Sequence, residues 1–546
     1  MTGLARLATC AAWLAVAAAP AMAQGVYGAD VRRALESVRP AALEAHLRFL
    51  ADDLMEGRGT GTRGYALAAR YVEAQFQRLG LEPAGERGTW EQAVPLQRAV
   101  LLPERCGLTL IGERSRELTM GRDFLMAPDV YRPQSDVTAD VVFVGYGVSA
   151  PELGYDDLAG VDPRGKIVAV FSGAPAQFAH TVRAHYSNGR VKDANLAAHG
   201  AIGVLTIRTP VDERRSSWAR LTLQYGLPSM RWLDARGIPD GVAPEIQCSA
   251  TVDRATAEAL FQGAERSLAE TFAAAEQGKL RGFPLRVKAR MRRASRHDAV
   301  ASPNVAGLWR GSDRQLESEV VVLSAHLDHL GIGPPVNGDS VYNGAFDNAT
   351  GVACLIEIAA AFAHAESRPR RSLLFLAVTG EEKGLQGSSY FVRHPTLAVD
   401  RLVADLNLDM YVMVGPLREV VAHGAEHSTL SSIANLAAAR MGLRVVSDPD
   451  PEQVVFVRSD QYSFVRVGVP SLYVTGSSGA AGQAARQAWS HDRYHSPQDD
   501  LDQPLDMESL ARFARLHYLM VDLAANQPAR PQWNANDFFG ERYGRR

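Results

Sequence analysis

Three short apolar runs in the second half of the chain each stop at a histidine or a carboxylate. EVVVLSA (Glu319 to Ala325) gives way to His326. SLLFLAVTG (Ser372 to Gly380) is followed by Glu381 and Glu382, and RLVADLNLDM (Arg401 to Met410) carries Asp409 near its end. Runs of this length, with helical segments between them, predict parallel strands buried on both faces of an α/β sheet. Ligand-type side chains at the carboxyl ends of such strands match the place where open α/β sheets bind their ligands. Asp347 has a different setting. It precedes ATGVACLIEIAAAFAHA, a predicted helix with a small-residue start, where the helix dipole favours a carboxylate.

With His495, in YHSPQDD (Tyr494 to Asp500), the stretch holds five ligand candidates: His326, Asp347, Glu382, Asp409 and His495. Two imidazoles and three carboxylates suit zinc or a similar divalent ion rather than copper or an iron–sulfur centre. A catalytic zinc usually takes three protein ligands and keeps one position open. Five ligands complete two such sites if one carboxylate is shared, with the ions about 3.5–4 Å apart. Taken singly each residue is weak: a lone histidine is more often structural, and a pair of glutamates is usually surface charge. The repetition at the ends of apolar runs is what points to a two-metal hydrolase.

The fragments HLDHLG (His326 to Gly331), NGAFDNATG (Asn343 to Gly351), GEEKGLQGS (Gly380 to Ser388), LNLDM (Leu406 to Met410) and YHSPQDD closely resemble the co-catalytic di-zinc peptidases of metallopeptidase family 28. That group includes the bacterial leucyl aminopeptidases, plasma glutamate carboxypeptidase and the glutamate carboxypeptidase II group. The resemblance implies that His326, Asp347 and Asp409 supply one metal site, and Glu382, Asp347 and His495 the other, in that pairing or its mirror. On the same ground Asp347 bridges two zinc ions, often with a cis peptide to the next residue, Asn348. Glu381 is then the general base, and Asp328 orients the His326 imidazole. The implied fold is α/β, a mixed and largely parallel sheet flanked by helices.

The chain has 546 residues, 46% of them apolar and 22% charged, with a net charge of −3. That is a globular composition long enough for two or three domains, and it gives no electrostatic reason to expect a nucleic-acid partner. Residues 1–23, with one arginine, an apolar core and Ala21-Met22-Ala23 before Gln24, read as a secretory signal peptide, which predicts a periplasmic or secreted protein without a membrane anchor. No later stretch reads as long and apolar enough to span a bilayer. Cys106 and Cys248 bracket the middle segment and are the better disulfide pair, and Cys354 falls in the predicted helix after Asp347.

Residues 24–94 read as an N-terminal helical part of the catalytic domain. They contain the glycine-rich turn DLMEGRGTGTRG, which lacks the preceding strand and following lysine of a phosphate-binding loop. The turn is similar to the opening of the same peptidases, and Arg58 or Glu56 are weak candidates to brace the site, with a purely structural turn favoured. Connecting strands follow over 95–134. Residues 135–250 form a β-rich insert that resembles the protease-associated domain, in GYDDLAGVDPRGKIVAVFSG and DANLAAHGAIGVLTI. A connecting helix and strand over 251–299 lead to the main domain at 300–527, with Gly479 to Ser490 read as a loop, and to an irregular aromatic tail at 528–546. Ser459, Asp460 and Tyr462 are candidates for shaping the pocket, with Tyr462 a donor to a developing oxyanion. The expected activity is an exopeptidase acting on peptides, removing N-terminal residues. Carboxypeptidase or dipeptidase action is the alternative on the same residues.

Overall fold

The apolar runs fold as parallel strands. In the computed structural model, which describes residues 27–545, Val320–His326 lies between Ser372–Val378 and Leu402–Asn407, parallel to both. Ser471–Ser477 extends the sheet beyond Leu402–Asn407 in parallel, and Glu419–His423 closes it antiparallel. All residues of the first three strands are buried, which is why their sequences are continuously apolar rather than alternating. The signal-peptide reading of residues 1–23 falls outside the described residues.

One face of the sheet is covered by the helix Thr350–His364, itself packed against Pro40–Leu50 and Met507–Asn526. Over 345–364 this segment meets the length and apolarity of a membrane span, contrary to the sequence expectation, and all of it is buried in the core. A helix that is apolar on every side needs other protein on every side, and here the sheet and the two helices supply it.

Phe283–Trp309 joins two sheets. Its second half pairs antiparallel with Ser372–Val378 and with Glu91–Leu101, and its first half pairs antiparallel with Gly107–Ile111 and Gln134–Phe143. From Gln134–Phe143 a second, mostly parallel sheet continues through Ile167–Phe171, Gly203–Ile207 and Cys248–Val252. This unit has a core of its own, built on Phe143, Phe171, Phe261 and Met291. Its strands lie on both sides of the 135–250 interval read from the sequence. The same interval also sends Ser229–Trp232 to pair with Glu91–Leu101.

Three local expectations fail. Cys106, Cys248 and Cys354 are all free thiols, and Cys106 Sγ donates instead to the Leu102 carbonyl at 3.3 Å. The segment read as a loop before His495 is the helix Ala480–Asp492, whose alanines outweigh its single interior glycine. The tail contains the helix Phe538–Tyr543, capped by the Asp537 carboxylate, and buries Phe539 against Phe456 and Tyr462.

Candidate metal centre

The five ligand candidates converge from five separate elements. His326 is the last residue of its strand, Glu381 and Glu382 follow Ser372–Val378, and Asp409 follows Leu402–Asn407. Asp347 lies just before Thr350–His364, and its peptide bond to Asn348 is cis. His495 follows Ala480–Asp492 in the left-handed region, at φ 55°.

His326 Nε2 lies 3.2 Å from both Asp347 Oδ1 and Asp409 Oδ1. His495 Nε2 lies 3.4 Å from Asp347 Oδ2 and 3.2 Å from Glu382 Oε2. Asp347 thus offers one oxygen to each group. A residue passed over in the sequence joins the second: His329, completely buried, brings Nδ1 to 2.7 Å from Glu382 Oε1 and 4.0 Å from Asp347 Oδ2. Its signal was present, three residues after His326 in HLDHLG.

The His326 tautomer follows from its other contact. Nδ1 is 3.0 Å from the Asp328 carbonyl, which only accepts, so Nδ1 carries a proton and Nε2 turns its lone pair or a second proton toward the two carboxylates. Asp328 therefore does hold the imidazole, but through its backbone. Its carboxylate has another task, accepting from Thr60 Oγ1 at 2.8 Å and from the Glu381 amide at 3.1 Å.

Backbone braces fix the loops. Asp499 accepts from the amides of Phe346 and Asp347, each at 3.0 Å. The Asn348 amide group donates to the Leu408 carbonyl at 2.9 Å and accepts from Met410 N at 3.2 Å, tying the Asp347 turn to Asp409. Arg58, wholly buried, donates to the carbonyls of Leu327, Asn343 and Gly344 at 3.0, 2.7 and 2.9 Å and to that of Leu50. Glu56 instead pairs at the surface with Arg63. Two arginines of the second sheet unit and its 229–232 excursion reach the glutamate turn: Arg190 Nη2 donates to the Gly384 carbonyl at 2.7 Å and Arg231 Nη1 to that of Lys383 at 2.9 Å.

The electrostatics call for cations. Burial alone would lower His326, yet Asp409 and Asp347 hold it well above an ordinary imidazole. Burial likewise opposes protonation of His495, but Glu382 and Asp347 push it up to about 9. Burial raises Glu381 well above the carboxylate range, with Glu382 and Asp409 adding to it against His326. Glu382 goes the other way: burial would raise it, but His495 and His329 overcome that and hold it well below. Burial also raises Asp460 to about 7, and both of its carboxylate oxygens lack a hydrogen-bond partner. Dehydrated carboxylates gathered like this are costly unless positive charge sits among them.

Divalent ions fit that need. His329 Nδ1 and Glu382 Oε1 are close but make no hydrogen bond with each other or with any other group. Buried polar atoms that converge without bonding are what a metal's donor set looks like before the metal is counted. Two such groups can be drawn, His326 with Asp347 and Asp409, and His329 with Asp347 and Glu382. Their nitrogen and oxygen donors suit zinc.

Tyr462 stands apart from this cluster. Its hydroxyl lies 2.5 Å from His185 Nδ1, on the side of the second sheet, so this placement does not aim it at a reacting carbonyl. The aromatic residue beside the centre is Tyr494, stacked on His495 with ring centroids 3.8 Å apart and its hydroxyl 3.2 Å from Arg458 Nη2. Met410, Arg458, Tyr473 and Tyr494 line a cleft of about 650 Å³ that opens beside the cluster.

Residues 304–521 match peptidase family M28. The matched segment contains every candidate ligand, and the second sheet unit lies almost wholly before it. Leupeptin-inactivating enzyme 1 of Streptomyces exfoliatus is 28% identical over 242 residues, covering 42% of this chain and 50% of its own. A probable leucine aminopeptidase 2 of Aspergillus oryzae is 24% identical over 223 residues, 38% of this chain and 42% of that one. The chain thus aligns with half or less of the length of these curated relatives. The solved aminopeptidase from Aneurinibacillus sp. strain AM-1 superposes over 92% of this chain and 97% of its own, with a TM-score of 0.55 at 19% identity. That is a likeness of fold, and it extends across the second sheet unit as well as the matched segment.

Proposed function

We propose that the chain is a zinc-dependent exopeptidase that removes N-terminal residues from peptides, with two ions held by His326, Asp347, Glu382, Asp409 and His495. One observation carries the reading: two carboxylate–imidazole groups share Asp347, with Glu381 beside them. Zinc bound there would polarise the scissile carbonyl and lower the pKa of a water in the site. Glu381 accepts the proton of the attacking water at a carboxylate oxygen and returns it to the leaving nitrogen. Asp328 fixes the Glu381 backbone, and Arg190 and Arg231 fix the turn behind it. His329 stands against Glu382, 2.7 Å from Oε1, and offers a further nitrogen donor to the second group.

A second reading, carboxypeptidase or dipeptidase action, draws on Arg458. It brings a permanent cation to the cleft, where a substrate's terminal carboxylate would pair with it.

The zinc-loaded protein should cleave carboxyl-blocked peptides and leave amino-blocked ones intact. The reverse pattern would select the second reading. Glu381→Gln should keep its zinc while kcat falls by about 10²–10⁴-fold. Undiminished turnover in that variant would remove Glu381 from the chemistry, and a wild-type chain that retains no zinc would remove the whole assignment.

A further inference from the structure

Away from the metal centre, a second cavity of about 410 Å³ lies where the second sheet unit, the helix Gln461–Val465 and the C-terminal helix Phe538–Tyr543 meet. Its walls carry Arg190, Lys192, Arg466 and Arg542 and not one aspartate or glutamate. Neutralisation is partial and comes from outside the lining, where Asp157, Asp212 and Asp193 act on Lys192. Asp240 is 3.9 Å from Arg190, Glu152 is 3.4 Å from Arg542, and Lys192 Nζ donates to the Phe171 carbonyl at 2.9 Å. Arg466 is exposed at the rim and has no carboxylate partner among the described residues.

The deepest polar group is His185, 1% exposed. Nδ1 is engaged by the Tyr462 hydroxyl at 2.5 Å, while Nε2 is buried without a partner. In the tautomer where Tyr462 donates to Nδ1, Nε2 carries the proton and is an unused N–H buried behind the cavity wall. The surroundings resist further positive charge: burial, then Arg542 and Arg466, push His185 down to about 3, and burial with Arg231 nearby lowers Arg190 to about 9. A buried donor left unsatisfied costs free energy, and so does a set of cations facing one another across a gap. A bound anion relieves both.

We propose that this cavity is a binding site for a small anionic ligand, an oxyanion or a carboxylate, held by Arg466, Arg542 and Lys192 with His185 Nε2 as the deep donor. The volume falls in the range of small-molecule pockets. Charge-assisted hydrogen bonds from guanidinium groups supply the affinity. The site is separate from the metal centre and does not depend on the peptidase reading.

The test is calorimetric titration of the zinc-loaded full chain with sodium sulfate and, separately, sodium succinate, at ionic strength held constant with chloride. The expected result is saturable one-to-one binding of at least one of them, and which one binds separates oxyanion from carboxylate recognition. Arg466→Ala and Arg542→Ala should each weaken it roughly tenfold. Arg466→Lys, which keeps the charge, should weaken it less. Because both arginines reach the surface, the thermal midpoints of the ligand-free variants should match that of the parent. Absence of binding above chloride overturns the proposal. So does binding that both alanine substitutions leave unchanged, since that would belong to the metal centre.

Discussion

Replacing Arg58 by methionine removes a side chain that does not touch the proposed metals yet holds the loops that carry their ligands. Its guanidinium satisfies four buried carbonyls, those of Leu50, Leu327, Asn343 and Gly344. Leu327 follows His326, and Asn343 and Gly344 lead into the Asp347 turn. Burial lowers Arg58 to about 10, opposed by Asp499, Asp347, Asp328 and Glu382, so it remains a cation at neutral pH. A buried acceptor stripped of its donor costs about 1–3 kcal/mol. Four of them at the low end give about 4 kcal/mol, close to the ~3–5 kcal/mol typical of removing one partner from a buried charge network. Against a total stability of about 5–15 kcal/mol that is a large fraction. Urea unfolding of the metal-stripped protein measures it directly. Arg58→Lys should recover less than half, because one ammonium point cannot span four carbonyls. A loss of under about 1 kcal/mol in Arg58→Met would refute the reasoning and mean that water replaces the guanidinium without strain.

Two further outcomes follow from single contacts. Asp328→Ala should lower kcat about 10–100-fold with little change in KM, because it frees the Glu381 amide while leaving the carbonyl that holds His326. Asp328→Asn keeps an acceptor for that amide and should recover most of the loss. A KM effect alone, in kinetics run with zinc content measured, would overturn the assignment. Asp30 sits well below the usual carboxylate range, at about 2, with hydrogen bonds from the Ser367 hydroxyl and from the amides of Glu366 and Ser367 overcoming burial. A depressed folded pKa stabilises above the unfolded value near 3.8 and is lost as pH falls toward 2. Asp30→Asn should therefore cost about 1–2 kcal/mol at pH 7, discounted for partial exposure, with the gap to the parent closing between pH 4 and 2. A gap independent of pH would rule out the carboxylate as its source.

The sheet and the positions of His326, Glu382 and Asp409 were legible because each depends on a one-dimensional signal: an apolar run ends, and the next polar side chain points where the strand points. Thr60 was not legible as part of the site, and Arg58 only as one of two weak candidates to brace it. Their partners lie some 270–290 residues away in sequence, and nothing local distinguishes a glycine-rich turn that braces a metal centre from one that only turns. Asp328 was placed beside the right histidine, but which of its atoms makes the contact was not legible, since sequence does not separate a carbonyl contact from a carboxylate one. Tyr462 sits two residues from Asp460, and a helix sends residues two apart in different directions, so one faces the cluster and the other faces His185. The helix Ala480–Asp492 was masked by Gly479 just before it and Gly482 within it, although its alanines favour a helix.

The strand Phe283–Trp309 belongs to both sheets without interruption. A pair of lobes hinged on a loop can swing apart for the cost of a few backbone rotations, but lobes threaded on one beam can separate only by bending it or tearing its ladder of hydrogen bonds. The wall that Arg190 and Arg231 set against the glutamate turn is therefore carried in a fixed attitude. Access to the cleft is therefore governed at its mouth, not by a yawning of the two halves.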